Sequence, residues 1–167
     1  MRRAKLWPIC TVVKPGIICV VESWLDDSIE DVEISIQGYQ IVRLDRTRHG
    51  GGLVIYVNNM FTCSVLYRGS PDFEFIMLCL TTNVFSPNFH LALLYRPPGS
   101  NSLLLDTLFS TLCNFNPNIF VNACIIGDFN IDFLSPSTFL YNKLLSVMSS
   151  FNLTQVVSEP TRIVNDC

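Results

Sequence analysis

Three stretches of the chain place residue types used in phosphate-ester hydrolysis at the ends of apolar runs. In CIIGDFNIDF (124–133) the run leads into Gly127, Asp128, Phe129 and Asn130. Residues i and i+2 of an extended segment point to the same side, so Asp128 and Asn130 face one spot while Phe129 packs behind them. A carboxylate there orients a water or binds a metal, and an amide donates to a developing oxyanion. The competing reading is a strand running into an Asx turn.

In VVESWLDD, Glu22 follows an apolar run at a predicted strand end. An unpaired buried carboxylate is costly, so Glu22 needs a partner or a cation. Magnesium suits it, because that ion takes one or two protein carboxylates and fills its shell with water and phosphate oxygens. The alternative is a glutamate in the first turn of a helix starting at Ser23. LLYRPPG puts Tyr95 and Arg96 at a strand exit, where both side chains can reach a phosphate or merely cap the core. Thr161 and Arg162 in SEPTR are further donors. HGGG (49–52) matches an esterase oxyanion motif, but that chemistry needs a G-x-S-x-G elbow, and the chain has none.

The elements that must position these residues follow from apolar periodicity. Strands are predicted at 16–22, 39–44, 52–57, 73–82, 89–96 and 122–129, with a short one at 153–157. Helices are predicted at 102–115, capped by Asn101 or Ser102, and at 137–151 with Leu140, Leu144, Leu145 and Met148 on one face. Strands, then alternating helix and strand, suit a layered α/β domain with a mixed sheet.

The 167 residues suit one domain able to bury about 70% of the surface its unfolded chain exposes. With 49% hydrophobic and 15% charged residues, the composition is globular and poor in charge. A net charge of −3 supplies no overall basic field for nucleic acid, although Arg43, Arg46 and Arg48 cluster locally. Seven cysteines without CxxC spacing read as buried hydrophobes in a reducing compartment. No apolar run reaches the roughly 18 residues of a membrane helix, and Pro8, Lys14 and Pro15 interrupt the signal-like start. The expectation is a nuclear or cytoplasmic protein, not secreted and not in a membrane.

In order along the chain, KPGIICVVESWLDD, GYQIVRLDRTRHGGGLVIYV, LALLYRPPG, CIIGDFNID and LTQVVSEPTR resemble the endonuclease domain of LINE-type (non-LTR) retrotransposons, within the endonuclease/exonuclease/phosphatase superfamily. The resemblance covers roughly residues 14–165 and leaves 1–13 unmatched. It implies a four-layered α/β sandwich, two packed mixed sheets with helices outside, and Mg2+-dependent phosphodiester hydrolysis, with Mn2+ as a substitute. It assigns Glu22 to the metal and Asp128, Asn130 and Tyr95 to catalysis. Arg43, Asp45 and Arg46 fall near the rim, and Thr161 near the phosphate. Arg96 joins Arg43, Arg46 and Thr161 as a phosphate or DNA contact. It further implies DNA as substrate and a reverse-transcriptase domain in the parent element. Two family features find no match in residues 14–167: a first strand with a metal-binding asparagine and a last strand with Ser-Asp-His. His49 and His90 lie in other segments, so impaired DNA nicking is expected, since losing a general acid–base group costs about 10²–10⁴-fold. The alternatives are a non-catalytic transposon relic that binds nucleic acid weakly, or an inositol-phosphate or lipid phosphatase of the same superfamily.

Overall fold

In the computed structural model residues 13–82, 87–133, 138–159 and 161 are described. The first sheet consists of β1 (Ile17–Val21), β2 (Tyr39–Leu44) and β3 (Leu53–Asn58), ordered β1-β3-β2 and antiparallel throughout. The second consists of β4 (Thr62–Ser70), β5 (Phe73–Thr81), β6 (Phe89–Tyr95) and β7 (Ala123–Asp128), in chain order. Its first three strands run antiparallel, whereas β6 and β7 are parallel. A parallel pair needs a long crossover, which here contains helix α2 (Leu103–Cys113) and a 3-10 turn (Pro117–Asn122). A short helix α1 (Asp31–Ile34) precedes β2, and α3 (Phe139–Ser150) follows β7.

The period-2 alternation of the strands sorts their side chains into layers. Leu53, Ile55 and Val57 of β3 meet Ile76, Leu78, Leu80, Leu91, Leu93 and Tyr95 between the two sheets. The alternate positions of the second sheet, among them Phe73, Phe75, Met77, Ala92 and Leu94, face α2 and α3. Val54 and Tyr56 face outward under Leu25, Ile29 and Ile34. The stack is therefore four layers deep: the α1 segment, sheet, sheet, and α2 with α3.

Helix α2 buries Leu105, Leu108 and Leu112, while Phe109 stays 40% exposed. Each such leucine contributes about 1.5–3 kcal/mol relative to exposure. The Asn101 side chain accepts the Leu103 N–H at 3.1 Å, which makes it the capping group. On α3, Thr138 caps the Tyr141 N–H, and Leu144 and Val147 are the buried contacts. Leu145, expected on the inner face, is 37% exposed.

Two expectations change. Residues 153–157 form no strand; the Leu153 N–H instead donates to Met148 O at the end of α3. Strand β4, which the sequence reading passed over, is an edge strand with mixed polarity and register shifts at Val65/Tyr67 and Arg68/Ser70.

Candidate active site

Four strand ends meet at one mouth of the cleft between the sheets. Parallel pairing sets Tyr95 beside Asp128 at the C-terminal ends of β6 and β7. Both share the inward face with Leu93, Cys124 and Ile126. Glu22 follows β1, and its Oε1 accepts a hydrogen bond from the Tyr95 hydroxyl. Strict alternation would send Glu22 outward with Ile18 and Val20. Its backbone departs from the strand instead, with φ 52°, and the carboxylate reaches the inter-sheet side. Burial, the bonded Glu22 carboxylate, and the charges of Glu74 and Asp128 together hold the Tyr95 hydroxyl well above the ordinary phenol range. Tyr95 is thus a neutral donor, and three carboxylates act on a single hydroxyl.

Glu74, at the start of β5, is the residue the sequence reading missed. It is 2% exposed. Gly52 N–H donates to its Oε2 at 2.5 Å and Arg46 donates to its Oε1 at 3.0 Å. Burial raises its carboxyl above the usual range, against the pull of Gly52 N–H and Arg46. Gly51 makes this approach feasible: a Cβ there would lie 2.6 Å from Glu74 Oε1 and 2.4 Å from Arg46 Cδ. The available signal was an acid embedded in the apolar run DFEFIMLCL, the same signal that marked Glu22.

Asp128 and Asn130 occupy the strand exit. The Asn130 N–H donates to Asp128 Oδ1 at 3.0 Å, so the Asx turn is present at the site itself. Asn130 Nδ2 donates to Arg96 O at 2.8 Å, and Arg96 N–H donates to Asp128 O at 2.9 Å. Both side chains belong to exposed residues. Backbone strain concentrates here. Of the non-glycine residues described with positive φ, Glu22 (52°), Trp24 (56°) and Asn130 (46°) border the cleft mouth. Left-handed conformations at such residues persist only where surrounding structure imposes them, and they cluster at functional sites.

The predicted phosphate contacts divide. Arg46 lies at the mouth, paired with Glu74 and about one-third exposed. Arg43 points to the outer layer, where it binds Asp45, Asp31 and the carbonyls of Ile29 and Asp26, so it braces the loop before α1. Arg96 is 1% exposed and donates to the carbonyls of Ser100, Phe129 and Asn130. It ties the GDFN turn to the β6 exit from within. Sequence shows a guanidinium but not its partners, and the nearby carbonyls and carboxylates claimed both arginines. Thr161 is an exposed residue in a bend, and Arg162 lies outside the described residues. His90 stands five residues before Tyr95 along β6, opposite Ala123 and Cys79. His49 sits exposed in the Thr47–Gly50 bridge.

Among the described residues no group of three or more His, Cys, Asp or Glu side chains is gathered as a metal cage. The donor chemistry nevertheless fits a hard divalent ion held through one carboxylate plus water, the usual manner of magnesium. Glu22 offers an exposed carboxylate with one oxygen on Tyr95, whereas the Glu74 oxygens are occupied. No helix among the described residues is long and apolar enough to cross a membrane.

No protein-family model matches the chain, and no curated protein does. Solved structures do. The endonuclease domain of TRAS1, a telomere-specific non-LTR retrotransposon, superposes with a TM-score of 0.67 at 11% identity, over 89% of this chain and 65% of its own. Danio rerio TDP2 complexed with a single-strand DNA product gives 0.55 at 12% identity, over 87% and 57%. An endonuclease/exonuclease/phosphatase family protein from Bacteroides thetaiotaomicron gives 0.59 at 15% identity, over 87% and 59%. The chain thus spans 57 to 65% of the lengths of these structures. Two packed sheets with helices outside, shared with all three at low identity, give this chain the α/β fold of the endonuclease/exonuclease/phosphatase superfamily.

Proposed function

We propose that this chain hydrolyses phosphodiester bonds in DNA with Mg2+, as the nicking endonuclease of a LINE-type retrotransposon that works beside a reverse transcriptase. The observation carrying this reading is the meeting of Glu22, Tyr95 and Asp128 at one cleft mouth, from residues far apart in the chain. The likeness to the TRAS1 endonuclease domain and to a TDP2 bound to a DNA product supports it.

In this reading Glu22 holds the cation. The ion supplies charge neutralisation on a phosphate oxygen and a fixed orientation for the substrate. Tyr95 keeps its proton, steers the Glu22 carboxylate and excludes water from behind it. Asp128, fixed at its backbone by Arg96, accepts a proton from the attacking water. Asn130 has one amide N–H on Arg96 O and a second to offer the phosphate. Arg46 supplies positive charge at the rim.

The test is conversion of supercoiled plasmid to open circle in Mg2+ at high protein concentration, with Mg2+-dependent oligonucleotide binding measured alongside. Glu22→Gln is expected to weaken that binding, and both Glu22→Gln and Asp128→Asn are expected to abolish nicking. Nicking that survives in both variants refutes the reading. Hydrolysis of inositol phosphates with no effect on DNA replaces it with the phosphatase. Binding of DNA that ignores both substitutions replaces it with a non-catalytic relic.

A further inference from the structure

Trp24 has an environment that core packing does not explain. Its residue is 49% exposed, while Ser23 and Leu25 on either side are 0% and 5% exposed. Its backbone is left-handed at φ 56°, a conformation that a bulky side chain rarely adopts. Two hydrogen bonds impose it: Ser23 N–H to Gly52 O and Trp24 N–H to Gly51 O, both 3.0 Å. The chain therefore clamps the backbone around an indole left in solvent, two residues from Glu22. The loop that supplies the clamp also carries Arg46 and Arg48, which pair with Glu74 and Asp26 yet keep side chains 36% and 54% exposed.

We infer that Trp24 is a nucleobase-stacking platform, and that the strand bound at the cleft presents an unstacked base beside the scissile phosphate. This rests on the phosphodiesterase reading above and deepens it, naming a base-bearing strand rather than a bare sugar or inositol phosphate. The chemistry is that of single-strand binding sites. A fixed aromatic plane accepts any base, because every base has a π-face, while nearby cations follow the backbone. A base that settles on such a platform meets a backbone already fixed by the buried neighbours Ser23 and Leu25 and the two bonds to the Gly51–Gly52 loop. An inositol phosphate offers no π-face to stack on the indole.

The test uses a single-stranded decadeoxynucleotide in Mg2+ at 4 °C, the same backbone with every base replaced by tetrahydrofuran, and inositol trisphosphate. Affinities are measured for the wild type, Trp24→Ala and Trp24→Tyr. Trp24→Ala is expected to weaken binding of the base-bearing strand by roughly 5- to 150-fold, the range carried by one base on an aromatic ring. It should leave the abasic strand unchanged, and Trp24→Tyr should restore most of the loss. In a Trp7→Phe protein, where Trp24 is the remaining indole, emission should be quenched by the base-bearing strand and not by the abasic one. This readout needs no change at position 24. Equal weakening of both strands, or no effect and no quenching, overturns the stacking role while leaving the phosphodiesterase reading standing. Binding of inositol trisphosphate with neither strand bound overturns both.

Discussion

Gly127→Ala should unfasten the site from below. Gly127 pairs with Leu94 one step before Asp128 pairs with Tyr95. Its φ is 147°, and a Cβ would lie 1.8 Å from Leu94 O and 2.8 Å from Leu94 C. Those atoms belong to a central strand and cannot swing aside as a side-chain tip does. Two costs add. Forcing a methyl into packed backbone costs about 1–3 kcal/mol, and holding a non-glycine residue in that backbone region costs about another 1–3 kcal/mol. The sum, ~2–6 kcal/mol, is a large share of a typical domain stability of about 5–15 kcal/mol. The chain relieves it by opening the β6–β7 pair at its C-terminal end, which separates Asp128 from Tyr95. Urea unfolding followed by circular dichroism measures the loss by linear extrapolation. Gly50→Ala is the control, because a Cβ there meets nothing within 4 Å; it should stay within about 0.5 kcal/mol of the wild type. A Gly127→Ala protein as stable as the Gly50→Ala control would refute the steric argument and with it the close β6–β7 contact that aligns the site.

Two further expectations concern titration. Burial raises the Glu74 carboxyl above its ordinary value of 4.5, so the folded state holds that proton longer than the unfolded state does. Stability linked to Glu74 is therefore highest below pH 4.5 and falls as pH rises through its folded pKa. Thermal melts from pH 4 to 8 should show Glu74→Gln gaining on the wild type as pH rises; a constant difference would contradict this. Burial pushes the Cys19 thiol up to about 12 from 9.0, and raises Cys63 and Cys124. Linked stability is thus intact below pH 9 and is lost as pH rises toward 12. In a Cys10→Ser/Cys167→Ser protein, a thiol reagent at pH 8 should modify the exposed Cys113 first and reach Cys19 only on unfolding. Early labelling of Cys19 would place it outside the inter-sheet core.

Periodicity alone placed most strands and both long helices, because buried faces impose their spacing on the chain. Strand β4 escaped because an edge strand with bulges carries no clean alternation. Residues 153–157 carry strand-forming types, but strand formation also needs a partner edge. At the site, Asp128 was legible as the acid that ends β7, whereas the common side expected for Asp128 and Asn130 gives way to an Asx turn in which Asn130 is left-handed at φ 46°. Glu22 was legible as an acid ending an apolar run, but its inward reach depends on a left-handed φ that residue type does not encode. Arg43 and Arg96 illustrate the converse. Their charge was visible, whereas the carbonyls and carboxylates that absorb it come from segments up to 34 residues away. Glu74 carried a comparable signal, an acid within an apolar run, but its partners Gly52 and Arg46 come from a distant segment that only the tertiary fold brings to it.

The central claim is that one divalent ion at Glu22 lies next to Tyr95 and Asp128. Substoichiometric Mn2+ added to isotope-labelled protein tests it without requiring turnover, since the ion broadens the resonances of nearby nuclei. The expected result is broadening of Glu22, Tyr95 and Asp128 together, reversed by Mg2+ and absent in Glu22→Gln. Broadening centred elsewhere, or reaching Glu22 while sparing Asp128 and Tyr95, would contradict the account.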